Sequence, residues 1–331
     1  MNSRPTSRRE SGISILVVIP VFNRRKMVVE ALTRVKDQTL QPSEVIVVDD
    51  GSTDSTASTV ETWIAQNPQL NATLVRTPNN GASAARNLGF SSCQPSPDFV
   101  AFLDSDDLWP VDFLERTATR LALNPTAPMA VVDRNFVEVN GSKTRFVSSR
   151  PFEKDLFLQL IRKGAGYGSA TLLRTSAFKD SGRYPEDVPT GHDIILFGKM
   201  LTLGECLHCP GAPVVMRTWL RTSKPDQEPH LHLRYPDRYI RWAEIYLKVC
   251  EWRFSQPQHR SAHELRYHAA IAFRLLLALG VEVARMQPTQ ILRVLKDLTR
   301  LASLTRKTCG RILVSGRIIN SAQERRRCTK R

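Results

Sequence analysis

Phe99-Val100-Ala101-Phe102-Leu103-Asp104-Ser105-Asp106-Asp107, residues 99–107, joins an apolar run directly to a cluster of carboxylates. A continuous run of this length suits a strand buried on both faces of a sheet. The acidic cluster then falls at the strand's carboxyl end. Three carboxylates within four residues repel one another unless a cation or solvent screens them. On a strand end, positions 104 and 106 point the same way. Together with phosphate oxygens they would make a suitable Mg²⁺ or Mn²⁺ site. A solvated acidic turn capping the helix after Trp109-Pro110 is the competing reading of the same residues.

Working outward, Ile15-Leu16-Val17-Val18-Ile19, Val45-Ile46-Val47-Val48 and Ala72-Thr73-Leu74-Val75 read as three further strands. Between them, residues 26–37 carry Val28, Ala31, Leu32 and Val35 at helical spacing. A second helix is expected over 52–62, with Ser52, Asp54 and Ser55 as cap candidates, and a third from Ala82 after Asn79-Asn80-Gly81. Apolar strands spaced by helices predict an α/β fold whose mainly parallel sheet is covered on both faces. Ligands bind such sheets outside the carboxyl ends of the strands. Pro20 to Asn23, Asp49-Asp50-Gly51 and Asp104 to Asp107 all fall there.

Beyond residue 125 the pattern loosens. Residues 129–133 and 135–139 read as two strands and 153–163 as a helix. Gly164, Gly166 and Gly168 mark a loop, and the chain turns helical after Pro236. Residues 1–12 are polar and read as a disordered leader. The chain has 331 residues, 41% of them hydrophobic, which suits two domains. Its mean hydropathy is -0.27. The run from Ile13 to Phe22 is interrupted by Pro20 and falls short of the roughly 20 apolar residues of a spanning helix. Six cysteines show no framework spacing, as expected of reduced thiols in the cytoplasm. Cys206-Leu207-His208-Cys209 is a C-x-x-C run without a second pair, so two buried thiols at a strand end compete with a metal reading.

The formal net charge of +15 is uneven. Residues 1–233 carry 26 Lys+Arg against 25 Asp+Glu, whereas residues 234–331 carry 21 against 7. The basic segment therefore has a different job from the rest. Within it, Ile291, Leu292, Val294, Leu295, Leu298, Leu301, Ala302 and Leu304 lie mostly along one side of a helix, with Arg293, Lys296 and Arg300 toward another. Such a helix can lie on an anionic membrane surface or pack back on the protein. A basic module of this charge could also bind nucleic acid, but no nucleic-acid motif is present and no such partner is expected.

The acidic cluster does not stand alone. Val18-Ile19-Pro20-Val21-Phe22-Asn23-Arg24, Asp49-Asp50-Gly51-Ser52-Thr53-Asp54, Gly81-Ala82-Ser83-Ala84-Ala85-Arg86-Asn87-Leu88-Gly89 and Phe102-Leu103-Asp104-Ser105-Asp106-Asp107 follow in order. In that order and spacing the chain resembles family 2 glycosyltransferases over about residues 13–223. The resemblance implies a GT-A fold over 13–225, with a nucleotide-sugar half at 13–125, an acceptor half at 126–225, and a basic helical extension at 234–331. It implies an inverting enzyme that moves a sugar from a nucleotide sugar, most simply a UDP-sugar, to a saccharide or lipid-linked acceptor in cell-surface polysaccharide assembly. Such an enzyme would work in the cytoplasm, or peripherally on the inner face of the plasma membrane.

By the same resemblance, Pro20 and Phe22 would line the base pocket and Asp50 would hydrogen-bond the base. Arg86 would lie near the diphosphate, where its fork suits phosphate oxygens. Asp104 would contact the ribose or the metal, and Asp106 would hold a divalent cation, Mn²⁺ or Mg²⁺. The general base would be Asp193 in Gly191-His192-Asp193-Ile194-Ile195-Leu196, with His192 where the family usually has Glu; a helix N-cap is the competing role for Asp193. Trp219 stands where a related segment often carries His. A nucleotidyltransferase on the same fold would instead call for a basic, Gly-rich loop near the N-terminus, and Pro20-Val21-Phe22-Asn23 is not one.

Overall fold

The computed structural model describes residues 12–138, 144–149, 168–188 and 191–218, with residues 245, 249, 272, 291–292, 295–303 and 305 beyond them. The expectations for residues 1–11, for the 153–163 helix, for Gly164 and Gly166, for the Trp219 segment and for most of 234–331 lie outside the described residues. By its contacts the chain divides into two units. The first comprises Met1–Arg150, Tyr167–Tyr184 and Glu205–Arg217; the second comprises Pro151–Gly166, Pro185–Gly204 and Thr218–Arg331.

The first unit opens with the four strands read from the sequence: β1 (Ile15–Val21), β2 (Glu44–Asp50), β3 (Ala72–Thr77) and β4 (Phe99–Phe102). They alternate with α1 (Arg25–Lys36), α2 (Thr56–Gln66) and α3 (Ala82–Ser92), and α4 (Phe113–Ala122) follows β4. All four strands run parallel, in the order β3-β2-β1-β4. β5 (Met129–Glu138), β6 (Thr144–Val147), β7 (Thr171–Arg174) and β8 (Cys206–Thr218) complete the sheet. β7 joins antiparallel between β4 and β5, and β6 and β8 both pair with β5. The sequence expected two strands across 129–139. One continuous strand forms instead, because Arg134 is buried in register opposite Val147 rather than turning out to solvent.

Both faces of the parallel half are covered, as continuous apolar strands require. On one face Ile15, Val17, Ile19 and Val21 pack with Val28, Leu32 and Val35 of α1 and with Trp63, Phe113, Leu114 and Leu121. On the other, α3 lies so close that a Cβ at Gly89 would stand 2.5 Å from Val18 Cγ1 and 3.0 Å from Val48 Cγ2. An aromatic cluster of Phe90, Phe102, Phe178 and Tyr184, with ring centroids 5.0–6.0 Å apart, holds this face to α5 (Thr175–Asp180) and the turn after it. The Asn87 side chain fixes that turn by donating to Tyr184 O at 2.9 Å and accepting from Tyr184 N at 3.2 Å.

The Cys206-Leu207-His208-Cys209 run opens β8 as buried chemistry. Desolvation pushes both thiols up, that of Cys209 to about 11 against the opposing charges of Arg116 and Arg120. Thiols raised in this way are protonated at neutral pH. His208 Nε2 lies 2.9 Å from Asp133 Oδ1, an oxygen that also accepts from Ser149 N.

In the second unit, α6 (His192–Met200) is described together with isolated helical residues from 245 onward. The apolar positions expected mostly along one side are split there. Leu301 is buried with Asp297, but Leu292 and Leu295 are exposed, at 67% and 44%. Positions 292 and 301 are half a turn out of phase at about 100° per residue, so they cannot share one face. Among the described residues, no helix is long and apolar enough to cross a membrane.

Gly89→Ala should force α3 off the sheet against Val18 and Val48. Overpacking of this kind costs about 1–3 kcal/mol, so the urea midpoint should fall with the m-value unchanged.

Candidate active site

Strand order reverses between β1 and β4: β2 and β3 lie to one side of β1, and β4 to the other. A crevice opens at the carboxyl ends at such a reversal, and it is the expected ligand position in sheets of this type. Here it is bordered by half-buried Pro20 at the end of β1, by half-buried Phe22 in the loop after it, and by the Asp104–Asp107 loop after β4.

The loops at this edge are joined by side chains. Asn23 takes φ +49, a region that Asn tolerates better than most residues. Its backbone N–H donates to Ser52 Oγ at 2.9 Å, and its side-chain oxygen accepts from Thr53 N at 2.9 Å. Arg24 N donates to Thr56 Oγ1 at 3.1 Å. The loop after β1 is thus tied to the loop after β2. The expected cap roles separate accordingly. Asp54 accepts from Thr56 N at 2.9 Å where α2 begins, whereas Ser52 is engaged by Asn23.

Asp50 is 5% exposed, and both its oxygens accept backbone N–H groups, from Asn80 and Gly81, each at 2.9 Å. It therefore clamps the loop that precedes α3. Gly51, at φ +79, lets the chain pass beside that loop, since a Cβ there would meet Asn79 N at 2.8 Å. Asp49 is buried as well and accepts from Ser52 N at 3.0 Å.

α3 carries Arg86 to the crevice. Its side chain is only 4% exposed; the guanidinium lies 5.0 Å from the centroid of the Tyr184 ring and is ion-paired with Asp104. The structure thus brings together Arg86 and Asp104, two of the residues singled out from the sequence.

Along Asp104–Asp107 burial alternates. Asp104 and Asp106 are partly exposed, whereas Ser105 and Asp107 are buried, so the two outward carboxylates share a side. The capping reading of this cluster does not hold. α4 begins only at Phe113, with Asp112 at its N-cap position, and Leu114 N donates to Gln38 Oε1 at 3.0 Å. Asp107 has a different role. Its carboxylate accepts from Ser169 Oγ at 2.5 Å and from Arg217 N at 3.2 Å. Burial pushes this carboxyl well above the usual range, with the neighbouring charges of Asp106 and Asp104 adding to the effect; the two donors oppose it.

Asp193 belongs to the second unit. It lies in the first turn of α6, where the helix dipole favours a carboxylate. The N-cap is Gly191 rather than Asp193. Gly191 adopts φ +76, and a Cβ there would strike Ile245 Cδ1 at 2.3 Å. Asp193 is 25% exposed, and His192 Nε2 stands 3.8 Å from its Oδ1.

Among the described residues, no three His, Cys, Asp or Glu side chains converge as a metal cage. Asp104 and Asp106 nevertheless fit a hard divalent cation that draws its remaining ligands from phosphate and water, since both are outward-facing oxygen donors.

A model of the family described as "Glycosyl transferase family 2" matches residues 16–182, from β1 through α5. The chain belongs to glycosyl transferase family 2. The succinoglycan biosynthesis protein ExoW of Rhizobium meliloti is 40% identical over 101 residues, covering 30% of this chain and 31% of that protein. The chain spans under a third of the length of four curated relatives that it matches. Among solved structures, residues 1–349 of TarS from S. aureus in complex with UDP-GlcNAc match with a TM-score of 0.67 at 19% identity, covering 95% of this chain and 92% of that one. The mannosyltransferase PcManGT from Pyrobaculum calidifontis, in complex with GDP-Man and Mn²⁺, matches with a TM-score of 0.56 at 20% identity, covering 90% and 80%. These likenesses show the GT-A fold, with its mainly parallel sheet flanked by helices.

Motif reading gave Asn23, Asn87 and Ser169 no role. Asn23 had a signal, since Asn between a strand and a helix suits positive φ. Ser169 lies 65 residues from Asp104 in sequence, and nothing local marks their contact.

Asn23→Ala and Asn23→Gly both remove the side-chain bonds to the β2 loop, but only Ala also strains at φ +49. The Ala variant should be less stable than the Gly variant by about 1 kcal/mol, read as the difference in urea unfolding free energies.

Proposed function

We propose that the protein is an inverting, metal-dependent glycosyltransferase. It moves a sugar from a nucleotide donor, a UDP-sugar in our reading, to a saccharide or lipid-linked acceptor in cell-surface polysaccharide assembly. One observation carries the reading. At the reversal of strand order, Asp104 and Asp106 present outward carboxylates beside Arg86, on a loop whose intervening residues are buried. A sheet edge of this kind suits a nucleoside diphosphate held through a cation. Membership of the family supports the reaction class. The UDP-GlcNAc complex of TarS, the GDP-Man and Mn²⁺ complex of PcManGT and the succinoglycan role in ExoW's name support donor, cation and pathway in turn.

In this reading Phe22 and Pro20 pack against the base. Asp50 holds the loop after β3 in place and turns its remaining acceptor capacity to the base. Asp106 is the firmer cation ligand. Asp104 serves ribose or cation, with Arg86 steadying it and standing ready for phosphate. Held by Asp106, a divalent cation would supply charge neutralisation for the departing diphosphate. Asp193 takes the acceptor hydroxyl proton as that oxygen attacks the anomeric carbon, and a single displacement of this kind inverts configuration. Exposed Leu292 and Leu295, beside exposed Lys296 and Arg300, present an apolar and basic helix face suited to an anionic bilayer. This face supports a peripheral position on the cytoplasmic leaflet, where a lipid-linked acceptor would be at hand.

A panel of nucleotide sugars with Mn²⁺, scored by nucleotide release, tests the assignment. Asp106→Ala should lower turnover at least about hundredfold through lost charge stabilisation. Asp193→Asn should lower it about 10²–10⁴-fold at unchanged donor KM. Full activity in Asp106→Ala would remove the metal assignment, and full activity in Asp193→Asn would remove the base. Co-sedimentation with anionic vesicles should weaken as salt rises; absence of binding at low salt would remove the membrane surface.

A further inference from the structure

The loop that bears Asp104 and Asp106 is held from beneath. Ser169, fully buried in the single turn Gly168–Ala170, reaches it with both its hydroxyl and its carbonyl. Ser169 Oγ accepts the Asp104 backbone N–H at 3.0 Å and donates to Asp107 Oδ2 at 2.5 Å. Ser169 O accepts Trp109 Nε1–H at 2.5 Å, and that indole is buried and stacked on Phe113 at 4.3 Å. Asp107 Oδ1 accepts Arg217 N–H at 3.2 Å, and Leu108 exchanges backbone bonds with Val215 at 2.9 and 3.0 Å. The loop is therefore fastened to two segments distant in sequence, the Ser169 turn and the end of β8.

The direction of these bonds is determined. A hydroxyl has one proton and two lone pairs. The Asp104 amide can only donate, so it takes a lone pair of Ser169 Oγ. The Ser169 proton then has the Asp107 carboxylate as its acceptor. Asp107 accepts on both oxygens, from Ser169 Oγ on Oδ2 and from Arg217 N on Oδ1.

We propose that Ser169 and Asp107 are positioning residues that set where the carboxylates of Asp104 and Asp106 stand. Neither touches the donor. Ser169 holds the backbone amide of Asp104 itself, and Asp107 is the neighbour of Asp106, so a shift in either moves an outward carboxylate. Ser169→Ala would leave the Asp104 amide and Asp107 Oδ2 each without the partner Ser169 gives them, at a position where the Ser169 side chain itself is fully buried. The consequence for catalysis rests on the donor-site reading above; the hold on the loop does not.

Two measurements on the full chain separate those claims. Without ligand, amide hydrogen exchange at Asp104 should rise about tenfold in Ser169→Ala, from loss of one buried bond, while exchange in β2 stays as in wild type. With donor and Mn²⁺, Ser169→Ala should lose about hundredfold in kcat/KM for the donor, the scale of a misplaced reacting group, with acceptor KM unchanged. Val35→Ala, a core truncation on α1, lowers stability but should leave donor KM as in wild type. Asp107→Asn keeps the side chain's shape and serves if Ser169→Ala does not fold. Its oxygen can still accept from Arg217 N–H while the Ser169 proton loses its acceptor, and it should show the same pattern at smaller size.

Unchanged Asp104 exchange in both variants would overturn the proposal. So would a donor KM that follows stability equally in Ser169→Ala and Val35→Ala. If wild type turns over no nucleotide sugar, the donor-site reading fails, and the exchange result still decides whether Ser169 positions the loop.

Discussion

Where a buried strand ends, its last amides lose the ladder partners that satisfied them, yet they remain at the edge of the core and still need acceptors. The ligand-facing edge of this sheet is built around that constraint. Asp49, Asp50, Asn23 and Ser169 each turn a side-chain oxygen back toward backbone N–H groups of a strand-end loop. The same bonds that satisfy the edge also fix the positions of the loops relative to one another. A set of mutually fastened loops follows from polar satisfaction before any ligand is considered.

Within that edge the buried and outward carboxylates divide the work. Asp50 and Asp107 are buried and bind backbone donors, whereas Asp104 and Asp106 are left partly exposed. The division falls across a turn just past β4, closed by the Asp107 N–H donating to Asp104 O at 3.0 Å. It gives the three clustered acids different surroundings: one is buried and bonded to two donors, one is paired with Arg86, and the third faces outward. Arg86 reaches Asp104 because Gly89, one turn on, lets α3 lie directly on Val18 and Val48.

The strands, the first helices and the position of the acidic edge were legible in the sequence because they rest on local patterns: apolar runs, helical spacing, and polar residues at run ends. The reading was weaker where the deciding contact is remote. Arg134 looked like a break between two strands, and only its burial beside β6 shows one continuous strand. Asp107 looked like a cap, since its partners lie near residues 169 and 217. Arg86 and Asp50 were assigned to ligand through the family resemblance, yet both also have partners within the protein. Around residue 297 the apolar positions suggest a mostly one-sided helix, yet positions 292 and 301 lie half a turn apart.

If the edge holds a nucleoside diphosphate through a cation on Asp106, nucleotide and metal must bind together. Electron paramagnetic resonance of free Mn²⁺ measures this directly, without an acceptor or a known sugar. Adding UDP and the full chain should remove the free Mn²⁺ signal well beyond what UDP alone removes, and Asp106→Ala should abolish the difference. An Asp106→Ala protein that retained the whole UDP-dependent loss of signal would contradict the account.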